Sequence, residues 1–235
     1  MTVPPTPLVI AIDGPSGSGK SSVSRAVAQR LNLAYLDTGA MFRALTWWCL
    51  QRGIDLEDQP AVARAAKALP LYMGTDPAAP SVKVDGAPID EAIRASAISE
   101  LVSKVAVNLG VRDELRSRQR ALIAECVKSS AGVVAEGRDI TTVVAPDAHV
   151  RILLSASQQA RLSRRAKQLH GQDGSASVTA THDQVVRRDK DDSAVSQFMR
   201  AAPGVTLVDT SELDFQQSVQ AVLDVVRARN AHDPE

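Results

Sequence analysis

The sequence predicts an α/β protein built on a five-stranded parallel sheet with helices on both faces, a small antiparallel insert and a mobile lid. Three observations predict it. Short β-branched runs recur along the chain and alternate with longer amphipathic stretches, the rhythm of strand–helix–strand crossovers. Apolar residues make up 44% of the 235 residues and aromatics only 3%, so aliphatic side chains must fill the core of an ordinary globular protein. A Gly/Ser-rich turn separates the first strand from the first helix.

Residues 8–12, followed by Asp13, read as a buried parallel strand. After the glycine-rich turn, residues 20–31 form an amphipathic helix. Residues 34–36 give a second strand and residues 39–52 a second helix. Residues 71–73 and 81–84 are short, and Asp85-Gly86 carries a hairpin-turn signal, so a small antiparallel patch interrupts the alternation. Helices follow near residues 96–107 and 112–128. Residues 132–135 (GVVA), 150–154 (VRILL) and 206–208 supply three more strands, and residues 215–229 a closing helix. Residues 1–57 and 108–235 then form the core domain. Residues 58–107 are an inserted subdomain, and residues 158–195, with the polar stretch 171–177, are a lid within the core.

Lys plus Arg and Asp plus Glu number 27 each. This balance argues against a general nucleic-acid binder, whose affinity rests on net positive charge, while leaving room for a local basic cleft. Residues 1–7 lack a basic region followed by an apolar stretch, and no apolar run approaches the roughly 20 residues that span a bilayer. The expectation is a cytoplasmic protein that acts as a monomer, without membrane or nucleic-acid partners. Cys49 and Cys126 read as buried small apolar side chains. His149, His170, His182 and His232 show no metal-ligand spacing. Of Trp47 and Trp48, one ring is expected to pack inward and the other to lie at the core's edge.

The strongest motif is Gly14-Pro15-Ser16-Gly17-Ser18-Gly19-Lys20-Ser21, continued by Ser22. It fits G-x-x-x-x-G-K-[ST] between a strand and a helix, and so predicts the P-loop NTPase fold. Glycines let the main chain wrap a phosphate with N–H groups aimed inward, and the helix N-terminus adds positive potential. Lys20 neutralises charge on the β- and γ-phosphates of ATP, and the Ser21 hydroxyl is a Mg²⁺ ligand. A P-loop alone does not say kinase. However, no Asn-Lys-x-Asp or Thr-Lys-x-Asp guanine signature follows it, and no strand of four apolar residues ends in a clear Asp-Glu pair. A short chain with scattered arginines fits a small-molecule kinase.

Other residues fall at strand ends, where ligands of such sheets bind. Thr38 is placed to cap the second helix, and Arg43 lies more than a turn along it. Spacing leaves two readings level, a cap with a solvated arginine or a grip on an acceptor phosphate. Arg138 and Asp139 follow another strand end, where an arginine fork suits phosphate oxygens and a neighbouring carboxylate accepts hydrogen bonds. Arg161, Arg164 and Arg165 share one helix face, and Arg187 and Arg188 follow the polar stretch. Either they form a solvated basic face, or a closing lid brings them over the transferred phosphoryl group.

The chain resembles the bacterial cytidylate kinases, a nucleoside monophosphate kinase family. The resemblance lies in IDGPSGSGKS (12–21), LDTGAMFR (36–43), AIRASAISELVSKVA (92–106), VRDELRSRQRAL (111–122), AEGRDITTVVAPDA (135–148) and RRDKDDS (187–193). It implies phosphoryl transfer from ATP to CMP or dCMP, with residues 58–107 as the monophosphate-binding unit. It implies Thr38, Arg43 and Arg138 on the acceptor phosphate. Ser103, Arg112 and Asp139 would read cytosine, and Arg188 and Asp192 would lie near the ribose. Lys20 would be catalytic, with Arg161, Arg165 and Arg188 as charge-clamping arginines. Most relatives carry Gly where Thr141 stands, a departure expected to alter the loop's flexibility, and many carry Arg where Val195 stands. Two rivals stay open at this stage: a kinase of another acceptor such as UMP or shikimate, and a nucleotide switch or ATPase driving a partner.

Overall fold

The computed structural model describes residues 7–170 and 198–230. Five strands form one parallel sheet in the order β2-β6-β1-β7-β8. They are β1 (Leu8–Asp13), β2 (Ala34–Asp37), β6 (Gly132–Gly137), β7 (Val150–Ser155) and β8 (Thr206–Asp209). Between them run α1 (Lys20–Leu31), α2 (Thr38–Gln51), α5 (Leu109–Ser129) and α6 (Gln158–His170), and α7 (Phe215–Asn230) closes the described chain.

Side-chain alternation explains why both faces are covered. Val9 and Ala11 of β1 join one apolar cluster with Met41 and Leu45 of α2 and Leu115 and Ile123 of α5. Ile10 and Ile12 point into a second cluster, with Val23 and Val27 of α1 and Val219, Val222 and Val226 of α7. A strand buried on both faces reads as a continuous β-branched run, and β1 does.

The insert holds α3 (Gln59–Ala68), β3 (Leu71–Gly74), β4 (Ser81–Val84), β5 (Ala87–Pro88) and α4 (Ser96–Ala106). β3, β4 and β5 are antiparallel, and Asp85 and Gly86 turn between β4 and β5 with φ of 53° and 77°, as the hairpin signal predicts. The helix α3 is an addition to the sequence reading. Asp58 caps it by accepting from the Ala61 N–H at 3.0 Å, and Val62, Ala65 and Ala66 bury one short stripe. Buried insert residues such as Val82, Val84, Ile89 and Ile93 belong to the same cluster as α2 and α5, so the insert shares the core.

Both cysteines are buried and free, and burial raises both thiol pKa values, that of Cys49 to about 11. Trp47 and Trp48 are both half-buried against the core, and the Arg52 guanidinium lies 4.1 Å from the Trp48 ring centre. Thus neither ring packs fully inward. No helix among the described residues is long and apolar enough to cross a membrane.

The sheet's register sets the site. In β1, Asp13 pairs with Gly137 of β6, and one step back Glu136 pairs with Asp37 of β2. Three acidic residues and the start of the 138–144 segment therefore meet at the carboxyl edge of the central strands.

Candidate active site

Beyond β1 the chain turns at Gly14 and winds through Gly17 (φ 77°) and Gly19 (φ 85°) into α1. These positive values are open to glycine at little cost. Gly14 has no room for a side chain, because a Cβ there would lie 2.3 Å from the Leu154 carbonyl oxygen of β7. The N-terminus of α1 has no side-chain cap and no acid in its first turn, which leaves its main-chain donors suited to an anion. Arginines grip the loop's carbonyls. Arg138 Nη1 donates to the Gly14 oxygen, Arg161 Nη1 to the Ser16 oxygen at 3.1 Å, and Arg164 Nη1 to the Ser18 oxygen at 3.4 Å.

Lys20 Nζ lies 2.5 Å from Glu136 Oε2, and Glu136 is 1% exposed. The Tyr35 hydroxyl donates to the other carboxylate oxygen at 2.8 Å. Burial, together with the charges of Glu136 and Asp37, pushes the Tyr35 hydroxyl far above its usual range. Sequence reasoning missed Glu136, although the apolar run 132–135 pointed at it. A four-residue apolar strand does end in an acid here, a single Glu followed by glycine.

Thr38 does not cap α2. Asp37 does, accepting from the Ala40 N–H at 2.9 Å, while the Thr38 hydroxyl donates to the Glu136 main-chain oxygen at 2.7 Å. The aspartate is one residue earlier, at the strand's end, where the first free helix N–H groups point. Asp37 also accepts from Arg43 Nη2 at 2.8 Å. Burial opposes its ionisation, but the Arg43 and Lys20 charges and the Ala40 N–H hold its carboxyl below the ordinary value. Arg43 Nε is buried without a hydrogen-bond partner among the described residues.

After β6 the chain makes one π-helical turn, Ile140–Val144, tied to β1 through Asp13. Asp13 accepts from the Ile140 N–H at 2.9 Å, the Thr141 N–H at 2.8 Å and the Thr141 hydroxyl at 2.6 Å. Thr141 therefore adds a third tether between this segment and β1. The segment presents Arg138 and Asp139. Arg138 stacks over Phe198, 4.7 Å from the ring centre. Asp139 Oδ2 accepts from Arg112 Nη2 at 2.7 Å and from Arg116 Nη2 at 2.8 Å.

One cleft of about 1140 Å³ gathers most of these groups. Its lining includes residues 15–22 of the P-loop and Thr38, Arg43, Arg112, Glu136, Arg138, Asp139 and Arg164. Three expected residues stand apart from it. Gly14 is packed against the Leu154 carbonyl of β7 and is not part of the lining. Ser103 is buried on α4 beside Val102, which lines the cleft where Ser103 does not. Arg161 is 7% exposed and holds the Ser16 carbonyl from beneath, whereas Arg164, one turn on, reaches the cleft. Arg165 falls on α6. Arg187, Arg188, Asp189, Asp192 and Val195, with the lid stretch 171–177, lie outside the described residues.

What fold and cleft define is a phosphotransferase of the P-loop class, with a main-chain anion cradle and guanidinium groups lining one cleft. The model of the cytidylate kinase family matches residues 10–228. A cytidylate kinase of Streptomyces avermitilis is 43% identical over 226 residues, covering 95% of this chain and 94% of the relative. One from Rhodococcus jostii is 47% identical over 224 residues, covering 94% and 96%. The chain belongs to the cytidylate kinase family. A shikimate kinase structure from Acinetobacter baumannii covers 95% of the chain at 16% identity and a TM-score of 0.41, a likeness too loose to bear on the acceptor.

Proposed function

We propose that this chain transfers the γ-phosphoryl group of ATP to CMP and dCMP, giving ADP with CDP or dCDP. The observation that carries this reading is the single cleft in which Lys20 and the P-loop face Arg43, Arg138, Arg112 and Asp139. Gly14, Pro15, Ser16, Gly17, Ser18, Gly19, Ser21 and Ser22 wrap the ATP phosphates, and Lys20 balances their charge. Arg43 and Arg138 seat the acceptor phosphate with help from the Thr38 segment. Arg112 offers donors to the cytosine ring, and Asp139 offers an acceptor to its amino group.

The oxygen donors fit a hard cation: the Ser21 hydroxyl lines the cleft together with the Glu136 and Asp37 carboxylates. Ser21 and Glu136 would hold Mg²⁺ directly or through water. When bound, that ion neutralises charge building on the phosphate oxygens. The acceptor phosphate is already ionised, so the chain's residues position and screen, and no general base is required. Residues 58–107 act as the monophosphate-binding unit. Residues 158–195 act as the lid, with Arg165, Arg188 and Asp192 on it. The enzyme works as a cytoplasmic monomer on small nucleotides.

The test is an acceptor panel with ATP and Mg²⁺. Turnover of CMP and dCMP well above UMP and shikimate is expected. Preference for shikimate or UMP would refute the acceptor, and brisk ATP hydrolysis without acceptor would favour a switch or ATPase.

A further inference from the structure

We infer that Arg116 is a specificity-determining positioning residue, which pins Asp139 from behind so that one carboxylate oxygen stays aimed at the nucleobase. The inference rests on the proposed base-reading role of Asp139. Arg112 and Arg116 are four residues apart on α5 and share a helix face. Both reach the same oxygen. Arg116 donates to Asp139 Oδ2 twice, from Nη2 at 2.8 Å and Nε at 3.1 Å, and Arg112 Nη2 donates at 2.7 Å. Oδ1 takes no partner among the described residues, and it is not sealed from solvent.

The two arginines are not equivalent. Arg112 lines the cleft and Arg116 does not. Arg112 has a second anchor, donating from Nη1 to the Ala106 carbonyl at 3.1 Å. Arg116's other acidic neighbour, Asp113, is exposed and 3.9 Å away, a separation that contributes little.

The division of labour follows from where the two arginines stand. A cytosine carbonyl or ring nitrogen in the cleft competes with Asp139 for the Arg112 guanidinium. Asp139 is 8% exposed, and a buried carboxylate stripped of its partner is costly and free to swing. Arg116 keeps Oδ2 engaged while Arg112 serves the base. Oδ1 then remains an acceptor in a fixed place, matched to an amino group and mismatched to the carbonyl that uracil carries there.

The test measures kcat and KM for CMP, UMP and ATP, with melting temperature, in Arg116→Met, Arg116→Lys, Asp139→Ala and the Met/Ala double variant. Arg116→Met should raise the KM for CMP and reduce the CMP-over-UMP preference about tenfold, the size of one charge-assisted hydrogen bond. The KM for ATP should stay unchanged. Arg116→Lys should recover part of the preference, and the double variant should be no less selective than Asp139→Ala alone. Arg116→Met with the parent's preference, or with CMP, UMP and ATP all impaired alike, overturns the inference. So do additive losses in the double variant. If Asp139→Ala itself keeps the parent's preference, the base-reading role fails first, and the result separates the two failures.

Discussion

Replacing Thr141 by Ala removes one of three tethers on a deeply buried acid beside the site. Asp13 is 2% exposed. Burial raises its carboxyl above the usual range, against the pull of the Thr141 hydroxyl and the two main-chain N–H donors. The hydroxyl lies 2.6 Å from Oδ2. Losing a hydrogen bond to a charged group costs about 1.5–3 kcal/mol, and the buried methyl adds about 0.8 kcal/mol. Asp13 keeps two donors, so a total of about 2–3 kcal/mol is expected, or about 4–12 °C in a chain of this size. The effect has a sign in pH. A carboxyl whose folded pKa is raised contributes stability below its unfolded pKa and loses it as pH climbs through the folded value. The hydroxyl offsets that loss. The urea-unfolding gap between parent and Thr141→Ala should therefore widen as pH climbs above the unfolded carboxyl value and narrow below about pH 4. A gap that does not change across that range would refute the account.

Two further outcomes follow from the cleft. Lys20→Ala should cut turnover at least about 100-fold while CMP binding, read by calorimetry, persists; near-parental turnover would remove Lys20 from the donor site. Because Glu136 then loses its counter-ion, the melting temperature should fall as well. Arg43→Met should raise the KM for CMP and cost about 1–3 kcal/mol at pH 7 through the loss of its bond to Asp37. The Asp37 pKa is held low, so its contribution is present above the unfolded value and vanishes as pH falls through the folded one. The stability gap between Arg43→Met and the parent should close in acid, and a gap that persists there would exclude the pair.

The central strands were legible in the chain because a parallel strand covered on both faces must be apolar on both, and runs such as LVIAID and VRILLS announce that. The P-loop was legible because its glycines answer a local demand. The helix Gln59–Ala68 was harder. Its buried stripe is Val62, Ala65 and Ala66, and two alanines give too faint a periodic signal. The second wall of the site was half legible. Arg43, Arg138, Arg112 and Asp139 came from ordered motifs, and they do line one cleft. Their supports did not come through. Asp13, Glu136 and Arg116 meet their partners at sequence distances of 128, 116 and 23 residues. Only sheet register and helix packing bring such groups together, and neither leaves a mark in a short motif. The Thr38 cap went astray by one residue because two adjacent oxygen side chains competed for it.

Arg138 ties the cleft to the start of the P-loop, since its side chain lines the cleft while its Nη1 donates to the Gly14 carbonyl. On the proposed reading, one side chain thus acts as a gauge block between the two seats, setting the gap that a phosphoryl group crosses. On the same reading, a redesign for a different nucleobase would leave that spacer alone and recut only the far end, at Arg112 and Asp139.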